Sequence, residues 1–411
     1  MLRTIYVDQL RPGMYVHRLN GPWLNHAFWR TSFLATERDI ERLQESGVET
    51  VEIDAERGDD LVEVAIVGAA EASPLLPEPD NASAPIQEQD LRPSTTPPST
   101  GDWASEVSRA RRICQEGRDA VEAMFREVRL GRIVDPDAML PLADEISASV
   151  DRHPGALVSI ARLKTADDYT YMHSVAVGAL MSTLARQLGM DADGCREAAM
   201  GGLLHDLGKA CIPNDILNKP GRLSEGEFDV MRTHPGEGER LLREAGLENA
   251  AILHLVLHHH ERFDGSGYPA KLPPEQIPLL TRMSTVCDVY DAITSNRPYK
   301  EGWDPGESLR QMASWKGHFD PAVLKAFIAS LGIYPIGTLV RLSSDRLAVV
   351  LDQRKAGLSK PLVRVFFSAR SRSHVLHNDL DLSASDCRES ITGLESPRQW
   401  GFRDLHKLWA P

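Results

Sequence analysis

The sequence is poor in cysteine and has no long apolar run. Its five cysteines lie far apart and form no CxxC pair, which favours a reducing compartment over a disulfide framework. No stretch reaches the roughly 18 apolar residues that cross a membrane. The N-terminus also lacks the apolar core of a signal peptide. We therefore expect a cytoplasmic protein with no membrane span.

The sequence also has fewer basic than acidic residues. The chain carries 46 Lys+Arg against 59 Asp+Glu, for a formal net charge of −13. A protein that holds nucleic acid through phosphate contacts needs a basic face, so the acidic balance argues against a nucleic-acid partner. Hydrophobic residues make up 42% of the 411 residues, which is enough for a sizeable core in about two or three domains.

Changes in composition and periodicity divide the chain into four parts. Residues 1–70 combine short strands with one helix, as in a small α+β domain. Residues 71–104 contain seven prolines among Ser, Thr and acidic residues, which predicts a flexible linker. Helical periodicity dominates residues 105–332. The pattern of residues 333–411 predicts a β-rich extension to about residue 380, followed by an irregular tail. The predicted fold is mainly α.

Histidines are concentrated in the helical part. Half of the 14 histidines lie between residues 173 and 260: His173, His205, His234, His254, His258, His259 and His260. Neutral imidazole with carboxylate suits Fe, Mn, Ni or Zn, and helical bundles build such sites from facing helices. The pattern therefore predicts a metal site in the bundle.

The motif His205-Asp206-Leu207-Gly208-Lys209 is the sharpest local feature. We expect it near the end of one helix spanning Cys195–Cys211. An Asp carboxylate has two oxygens and can bridge two metals, while Lys209 can direct its ammonium group at a phosphate. Gly208 would let a neighbouring helix approach closely.

Two further motifs follow. His259-His260-Glu261 ends a helix and leads into a glycine-containing loop through Pro269, of a kind that brings backbone close to a ligand. Asp288 and Asp291 are three residues apart and share one helix face.

Arg297 and Lys300 close this motif at the end of the helix. Their charges are placed to reach anionic oxygens.

Together these motifs resemble the HD-GYP family, a subgroup of the HD-domain metal-dependent phosphohydrolases. The resemblance covers roughly Ala161–Ser330, and its order and spacing agree throughout. Residues 1–66, with Val-Asp-Gln-Leu-Arg-Pro-Gly-Met-Tyr-Val at 7–16, look like the domain of unknown function that often precedes such proteins.

The resemblance implies an HD-domain helical bundle and a cyclic di-GMP phosphodiesterase that yields pGpG and, after a second cut, GMP. It implies two divalent ions, Fe or Mn first with Ni or Zn left open, held by His173, His205, Asp206, His234, His259, His260 and Asp288. Asp206 would bridge the metals, and Lys209 would act with it in catalysis. The implied substrate-binding residues are Arg297, Lys300, Asp291, Gly267, Tyr268 and Pro269, with Asp291 also a candidate orienting partner.

Two other functions stay open at this point. The chain could be a cyclic di-GMP sensor or adaptor that docks the GGDEF domain of a diguanylate cyclase with little turnover, although an intact HDLGK motif argues against a pure sensor. It could also be an enzyme for another cyclic dinucleotide or a nucleotide. Some members bind a third metal through a Glu where this chain has Tyr169, so we expect two metals. A homodimer is left open.

Overall fold

The structure is a computed structural model. It describes residues 2–6, 10–20, 33–36, 39–40, 50–54, 57, 103–163, 169–219, 221–295, 302–353 and 358–410. The chain divides into two compact units, residues 1–90 and 91–411. The predicted linker lies outside the described residues except at its last two positions. The predicted domain boundaries therefore stay predictions.

The described part of residues 1–90 forms an antiparallel sheet. Its strands are β1 (Leu2–Tyr6), β2 (Tyr15–Asn20), β3 (Phe33–Leu34) and β4 (Thr50–Asp54), in the order β1-β4-β2-β3. Alternating apolar residues bury one face, where Val16, Val51 and Ile53 are fully enclosed. Helical spacing places the one predicted helix of this domain at Glu37–Ser46, and only residues 39–40 of it lie within the described part.

The second unit begins with a helical bundle. Its helices are α1 (Trp103–Arg129), α2 (Leu140–Arg152), α3 (Pro154–Ala161), α4 (Tyr169–Gln187), α5 (Ala192–Leu204), α6 (Asn214–Leu217), α7 (Glu225–Met231), α8 (His234–Glu244), α9 (Ala250–His258), α10 (Leu279–Thr294), α11 (Pro305–Ser314) and α12 (Pro321–Leu331). Short 3-10 segments lie at Pro136–Met139, Leu207–Cys211 and Pro274–Gln276. No described helix is long and apolar enough to traverse a bilayer.

Local sequence signals explain where several helices begin. Asp191 caps α5 and Asn249 caps α9, each accepting a backbone N–H of the first turn through its side chain. Ser224 and Glu227 form the capping box that their spacing predicts at the start of α7. These caps fix the starts of α5, α7 and α9, the helices that lead to His205, His234 and His259.

Helix α4 runs through the centre of the bundle and is buried along most of its length. It packs closely on α5, where a Cβ on Gly202 would lie 2.6 Å from the Cα of Gly178. Only glycine permits this approach of two backbones. The two helices that carry His173 and His205 are therefore in direct contact.

A sheet completes this unit. Strands β5 (Leu339–Leu342), β6 (Arg346–Asp352), β7 (Leu362–Ser368), β8 (Ser373–Asp381) and β9 (Ile391–Leu394) are antiparallel in the order β8-β7-β6-β5-β9. A short helix, α13 (Pro397–Trp400), and a 3-10 segment (Leu405–Leu408) follow.

The predicted irregular tail was wrong in this region. Strand β9 pairs with β5, and Trp409 is buried at 2% exposure. The indole N–H of Trp103 donates to the carbonyl of Trp409 at 3.1 Å. These contacts tie the tail to the first helix of the bundle.

Two helices predicted as continuous are interrupted. The helix predicted at Cys195–Cys211 ends at Leu204, because Asp206 (φ −102°, ψ 9°) leaves the helical conformation. Helical spacing also predicts one helix over Ser224–Ala245, but the structure divides it into α7 and α8, with Pro235 in the first turn of the second. Both interruptions lie at metal-ligand candidates.

Candidate metal centre

The seven predicted metal ligands converge on one buried site. They come from α4 (His173), the end of α5 (His205 and Asp206), the start of α8 (His234), the end of α9 (His259 and His260) and α10 (Asp288). Five of them are at most 2% exposed. The side chains of His260 and Asp288 are 25% and 11% exposed, so these two define the open face.

Three of the histidines share one orientation. The Nδ1 atoms of His205, His234 and His259 each lie 2.7–2.8 Å from the backbone carbonyl three residues earlier. A carbonyl only accepts, so each Nδ1 carries the proton and donates it. Each Nε2 therefore presents a lone pair, and the Nε2 atoms of His234 and His259 lie 3.2 Å apart.

The ring of His173 lies between two aspartates of α10. Its Nδ1 donates to Oδ2 of Asp291 at 2.6 Å, and its Nε2 lies 3.0 Å from Oδ1 of Asp288. Their spacing of three residues puts both carboxylates on one face of α10. Asp291 thus orients the imidazole through Nδ1. Asp288 lies beside Nε2, the ring nitrogen that would bind a metal ion.

Asp206 joins the two halves of the cluster. Its Oδ2 lies 3.4 Å from Nε2 of His173 and 3.3 Å from Nε2 of His205. Its Oδ1 lies 3.4 Å from Nε2 of His234 and 3.7 Å from that of His259. One carboxylate therefore offers one oxygen to each half.

The donor set fits divalent metal ions. Two groupings have ligand atoms within 4.8 Å of one another: His173, His205 and Asp206, and His234, His259 and His260. Oδ1 of Asp206 and Nε2 of His205 are buried without a hydrogen-bond partner, which is costly unless a cation satisfies them. Facing imidazole lone pairs also require a positive charge between them.

Electrostatics keep His234, His260 and Asp206 in the form that binds metal. At His205 burial lowers the pKa of the imidazole, but the neighbouring Asp206 outweighs burial and raises it. Burial lowers the pKa of His234 to about 3 and that of His260 to about 4. Burial favours protonation of Asp206, but His205 and Lys209 outweigh it, and the pKa of the Asp206 carboxyl lies well below its usual range. Neutral imidazoles and ionised carboxylates are the forms that bind metal.

Gly208 sets the distance to α8. A Cβ at this position would lie 1.9 Å from the carbonyl oxygen of His234 and 2.5 Å from the amide nitrogen of Gly238. The absence of a side chain thus lets the HDLGK segment touch the backbone of α8, as the sequence predicted. This contact holds His234 beside Asp206.

The loop after α9 covers one side of the centre. The ring of Tyr268 stacks on that of His260, with centroids 4.7 Å apart and planes at 26°. Gly267 is buried and Pro269 exposed. We call residues 264–272 the GYP loop. The predicted substrate-binding residue Tyr268 therefore lies beside the open face.

Glu261 is a site residue to which the sequence analysis gave no role. Its carboxylate is 1% exposed and accepts the backbone N–H of Ala270 at 2.7 Å and of Leu272 at 3.2 Å. It thus anchors the GYP loop to the end of α9. A charged residue directly after two ligand histidines was the available signal.

Several predicted site residues lie outside the described residues or lie in a position other than the predicted one. Arg297 and Lys300 lie outside the described residues, as does the side chain of Tyr169. Asp291, predicted among the substrate-binding residues, is buried behind His173, which favours its orienting role.

Comparisons with known proteins agree with this arrangement. The family model of the HD domain matches residues 148–323, the part that carries every predicted ligand. A domain of unknown function (DUF3391) matches residues 2–139, so that match extends beyond the predicted N-terminal domain, across the predicted linker and through α1 to the 3-10 segment that follows it.

Curated relatives give a longer match. A cyclic di-GMP phosphodiesterase of Pseudomonas aeruginosa is 48% identical over 411 residues, covering 100% of this chain and 96% of that protein. The cyclic di-GMP phosphodiesterase response regulator RpfG of Xanthomonas campestris is 44% identical over 149 residues, or 35% of this chain and 39% of the relative. A 3'3'-cGAMP-specific phosphodiesterase of Vibrio cholerae is 32% identical over 211 residues, or 50% of this chain and 44% of the relative.

The helical bundle and its buried His/Asp cluster define an HD-domain hydrolase. Within that class, the full-length relative and the intact motifs assign the chain: it belongs to the HD-GYP family of HD-domain phosphodiesterases.

Proposed function

We propose that the protein hydrolyses cyclic di-GMP to linear pGpG, and pGpG onward to GMP, with two divalent metal ions held by the seven ligand candidates. The observation that carries the proposal is the position of Asp206, whose two oxygens face different histidine groupings at 3.3–3.7 Å. A carboxylate between two sets of imidazoles is the arrangement that a two-metal phosphodiesterase needs.

The chain's own residues set up the reaction. Asp288 and His260, the most exposed ligands, define the face at which a phosphodiester enters. Lys209 donates from Nζ to Oδ2 of Asp206 at 2.5 Å and its side chain is 19% exposed. Its ammonium group can therefore turn toward a phosphate oxygen as negative charge develops there.

Water access is restricted on the inner side of this face. His173, fixed by Asp291, and His205 lie at most 2% exposed, so among the described residues the face of His260 and Asp288 is where the substrate phosphate approaches. When bound, the metal ions supply Lewis acidity to the phosphodiester and lower the pKa of a water nucleophile.

The remaining assignments depend on the family resemblance. We propose Fe or Mn as the metal, since imidazole with carboxylate suits both, and Arg297 and Lys300 as phosphate-binding residues. The five cysteines are free, which supports a cytoplasmic location. A GGDEF partner and a homodimer are further proposals, and the exposed Pro269 supports the GYP loop as a contact surface.

The test is a comparison of activity and metal content. Protein purified without oxygen is analysed for Fe, Mn, Ni and Zn, and cyclic di-GMP is followed by chromatography. We expect Asp206→Ala to lose at least about 10²-fold in rate together with bound metal. Asp215→Ala, at an exposed aspartate of α6, is the matched control. Metal-replete wild type that forms neither pGpG nor GMP, or equal rates in Asp206→Ala, would refute the proposal.

A parallel assay with 3'3'-cGAMP addresses substrate choice, because a relative 32% identical bears that specificity in its name. We expect a higher kcat/KM for cyclic di-GMP, the substrate named for the relative that matches the full chain. The reverse order would keep the phosphodiesterase and change its substrate.

A further inference from the structure

An arginine beside the GYP loop has no part in the metal centre. Arg232 directly follows α7 and stands two residues before the ligand candidate His234. Its guanidinium carbon lies over the ring of Tyr268, 5.5 Å from the ring centroid. Tyr268 in turn stacks on His260, with centroids 4.7 Å apart. The guanidinium group is therefore separated by one aromatic ring from the most exposed ligand candidate, at the rim of the open face.

The same arginine packs against an exposed aromatic side chain. Phe228 lies four residues earlier, so the two side chains share one face at the end of α7. The guanidinium carbon of Arg232 lies 4.4 Å from the centroid of the Phe228 ring, within the reach of a cation–π contact. Phe228 is nevertheless 41% exposed, so part of its surface stays open to a ligand.

The ion pair of Arg232 leaves its hydrogen-bond donors accessible. Nη1 of Arg232 lies 3.6 Å from Oδ1 of Asp229, which is longer than a hydrogen bond. The two side chains are 49% and 72% exposed, and an ion pair between such exposed groups contributes little. A guanidinium group carries five N–H donors in a planar fork, so an acceptor of a ligand can bind in that plane.

The neighbours of Arg232 favour a guanine base over a phosphate as the bound group. The negative charge of Asp229 repels a phosphate oxygen but does not repel a neutral base. The ring of Phe228 offers a face on which a base can stack, whereas a phosphate gains nothing from such a face. An arginine fork matches the O6 and N7 acceptors on one edge of guanine, where adenine presents an amino donor.

We propose that Arg232 and Phe228 form a guanine platform at the rim of the metal centre. Arg232 donates to O6 and N7 of one guanine of the substrate, and Phe228 stacks on that base. The inference rests on the proposed cyclic di-GMP phosphodiesterase activity. Cyclic di-GMP carries two guanines and two phosphates in one molecule, so a phosphate at the metal centre leaves a base to reach the rim. Arg232 is then a residue that determines specificity for guanine over adenine.

Kinetics with cyclic di-GMP as substrate and cyclic di-AMP as competitor test the arginine. We expect Arg232→Ala to lower kcat/KM for cyclic di-GMP about 5–100-fold and to leave the inhibition constant of cyclic di-AMP unchanged. Arg232→Lys keeps the charge but lacks the planar fork, so it should lose nearly as much for cyclic di-GMP.

The phenylalanine should behave differently, because stacking tolerates any base. We expect Phe228→Ala to lower kcat/KM for cyclic di-GMP about 5–100-fold and to weaken inhibition by cyclic di-AMP to a similar extent. This difference between the two variants separates stacking from the recognition of the guanine edge.

Arg196→Ala on α5 is the matched control, since Arg196 also pairs with an aspartate three residues away and is 43% exposed. Metal content and Tm are measured for every variant, and we expect them to match wild type. A loss of bound metal in Arg232→Ala would show that the residue supports His234 instead of the substrate, and would overturn the platform.

The remaining outcomes separate the platform from the proposed activity. Equal losses for both dinucleotides in Arg232→Ala, with recovery in Arg232→Lys, would overturn guanine recognition and indicate a phosphate contact. Unchanged kcat/KM for cyclic di-GMP in Arg232→Ala would overturn the platform and leave the phosphodiesterase activity standing. Metal-replete wild type that hydrolyses no cyclic di-GMP would refute the proposed activity, and the platform with it.

Discussion

Replacing Gly208 with alanine is expected to disturb the metal centre without touching a ligand. The added methyl group would meet the carbonyl oxygen of His234 at 1.9 Å and the amide nitrogen of Gly238 at 2.5 Å. Both obstacles are backbone atoms, so no side-chain rotation removes the clash. The HDLGK segment and α8 must separate.

The size of the effect follows from that distance. Non-bonded heavy atoms rest about 3.5–4.0 Å apart, so α8 has to move by roughly 1.5 Å. Overpacking of this kind costs about 1–3 kcal/mol, or a fall in Tm of roughly 2–12 °C. The shift carries His234 away from Asp206, and a displacement of about 1 Å in a catalytic site costs on the order of 10²-fold in rate.

Thermal unfolding, metal content and phosphodiesterase rate are measured together. The matched control is Gly236→Ala in α8, where an added methyl group meets nothing within 4 Å and alanine favours the helix by up to about 1 kcal/mol. We expect the control to keep its metal and activity and to keep or slightly raise its Tm. If Gly208→Ala matches the control in all three measurements, the close contact does not hold His234 in place.

Three other predictions follow from the site. Asp291→Asn removes the carboxylate that orients His173, so metal affinity should fall about 10–100-fold, as determined by metal-buffered titration. Glu261→Gln weakens the anchor of the GYP loop and should speed amide exchange there, and unchanged exchange would contradict the anchor. Burial lowers the folded-state pKa of His234 to about 3 and of His260 to about 4. Between those values and the unfolded pKa of about 6.5 the unfolded chain binds more protons, so these two groups make metal-free protein lose stability as the pH falls from 7 to 4. Urea unfolding at several pH values measures the loss, while His205, whose pKa is raised, works against it.

The residue types of the cluster could be predicted from the sequence, but the geometry could not. Histidines and aspartates in a helical segment indicate a metal site, and all seven ligand candidates do converge. Periodicity predicted one helix through His205 because the apolar spacing continues past the point where the chain leaves the helix. Glu261 had no predicted role, since its partners are backbone amides nine and eleven residues later.

The prediction of an irregular C-terminal tail was wrong for a similar reason. Strand β9 is only four residues long and is stabilised by pairing with β5, about fifty residues earlier. A four-residue segment is too short to give a periodic signal, and its structure comes from a distant partner. Trp409 likewise contacts α1, some three hundred residues away in sequence. Such elements depend on tertiary contacts that local pattern does not encode.

The interrupted helices and the histidine orientations have one physical cause. A helix end leaves its last carbonyls without an intrahelical partner. His205 and His259 stand directly after α5 and α9, and His234 follows the last residue of α7 by three positions. In each case Nδ1–H donates to the carbonyl three residues earlier.

That one hydrogen bond satisfies an end carbonyl, fixes the tautomer and turns Nε2 toward Asp206. A histidine in the middle of a continuous helix would have to share its acceptor with the backbone N–H that already bonds to it. The breaks after Leu204 and before His234 are therefore part of the metal centre, because they create the acceptors that hold its imidazoles in ligand form.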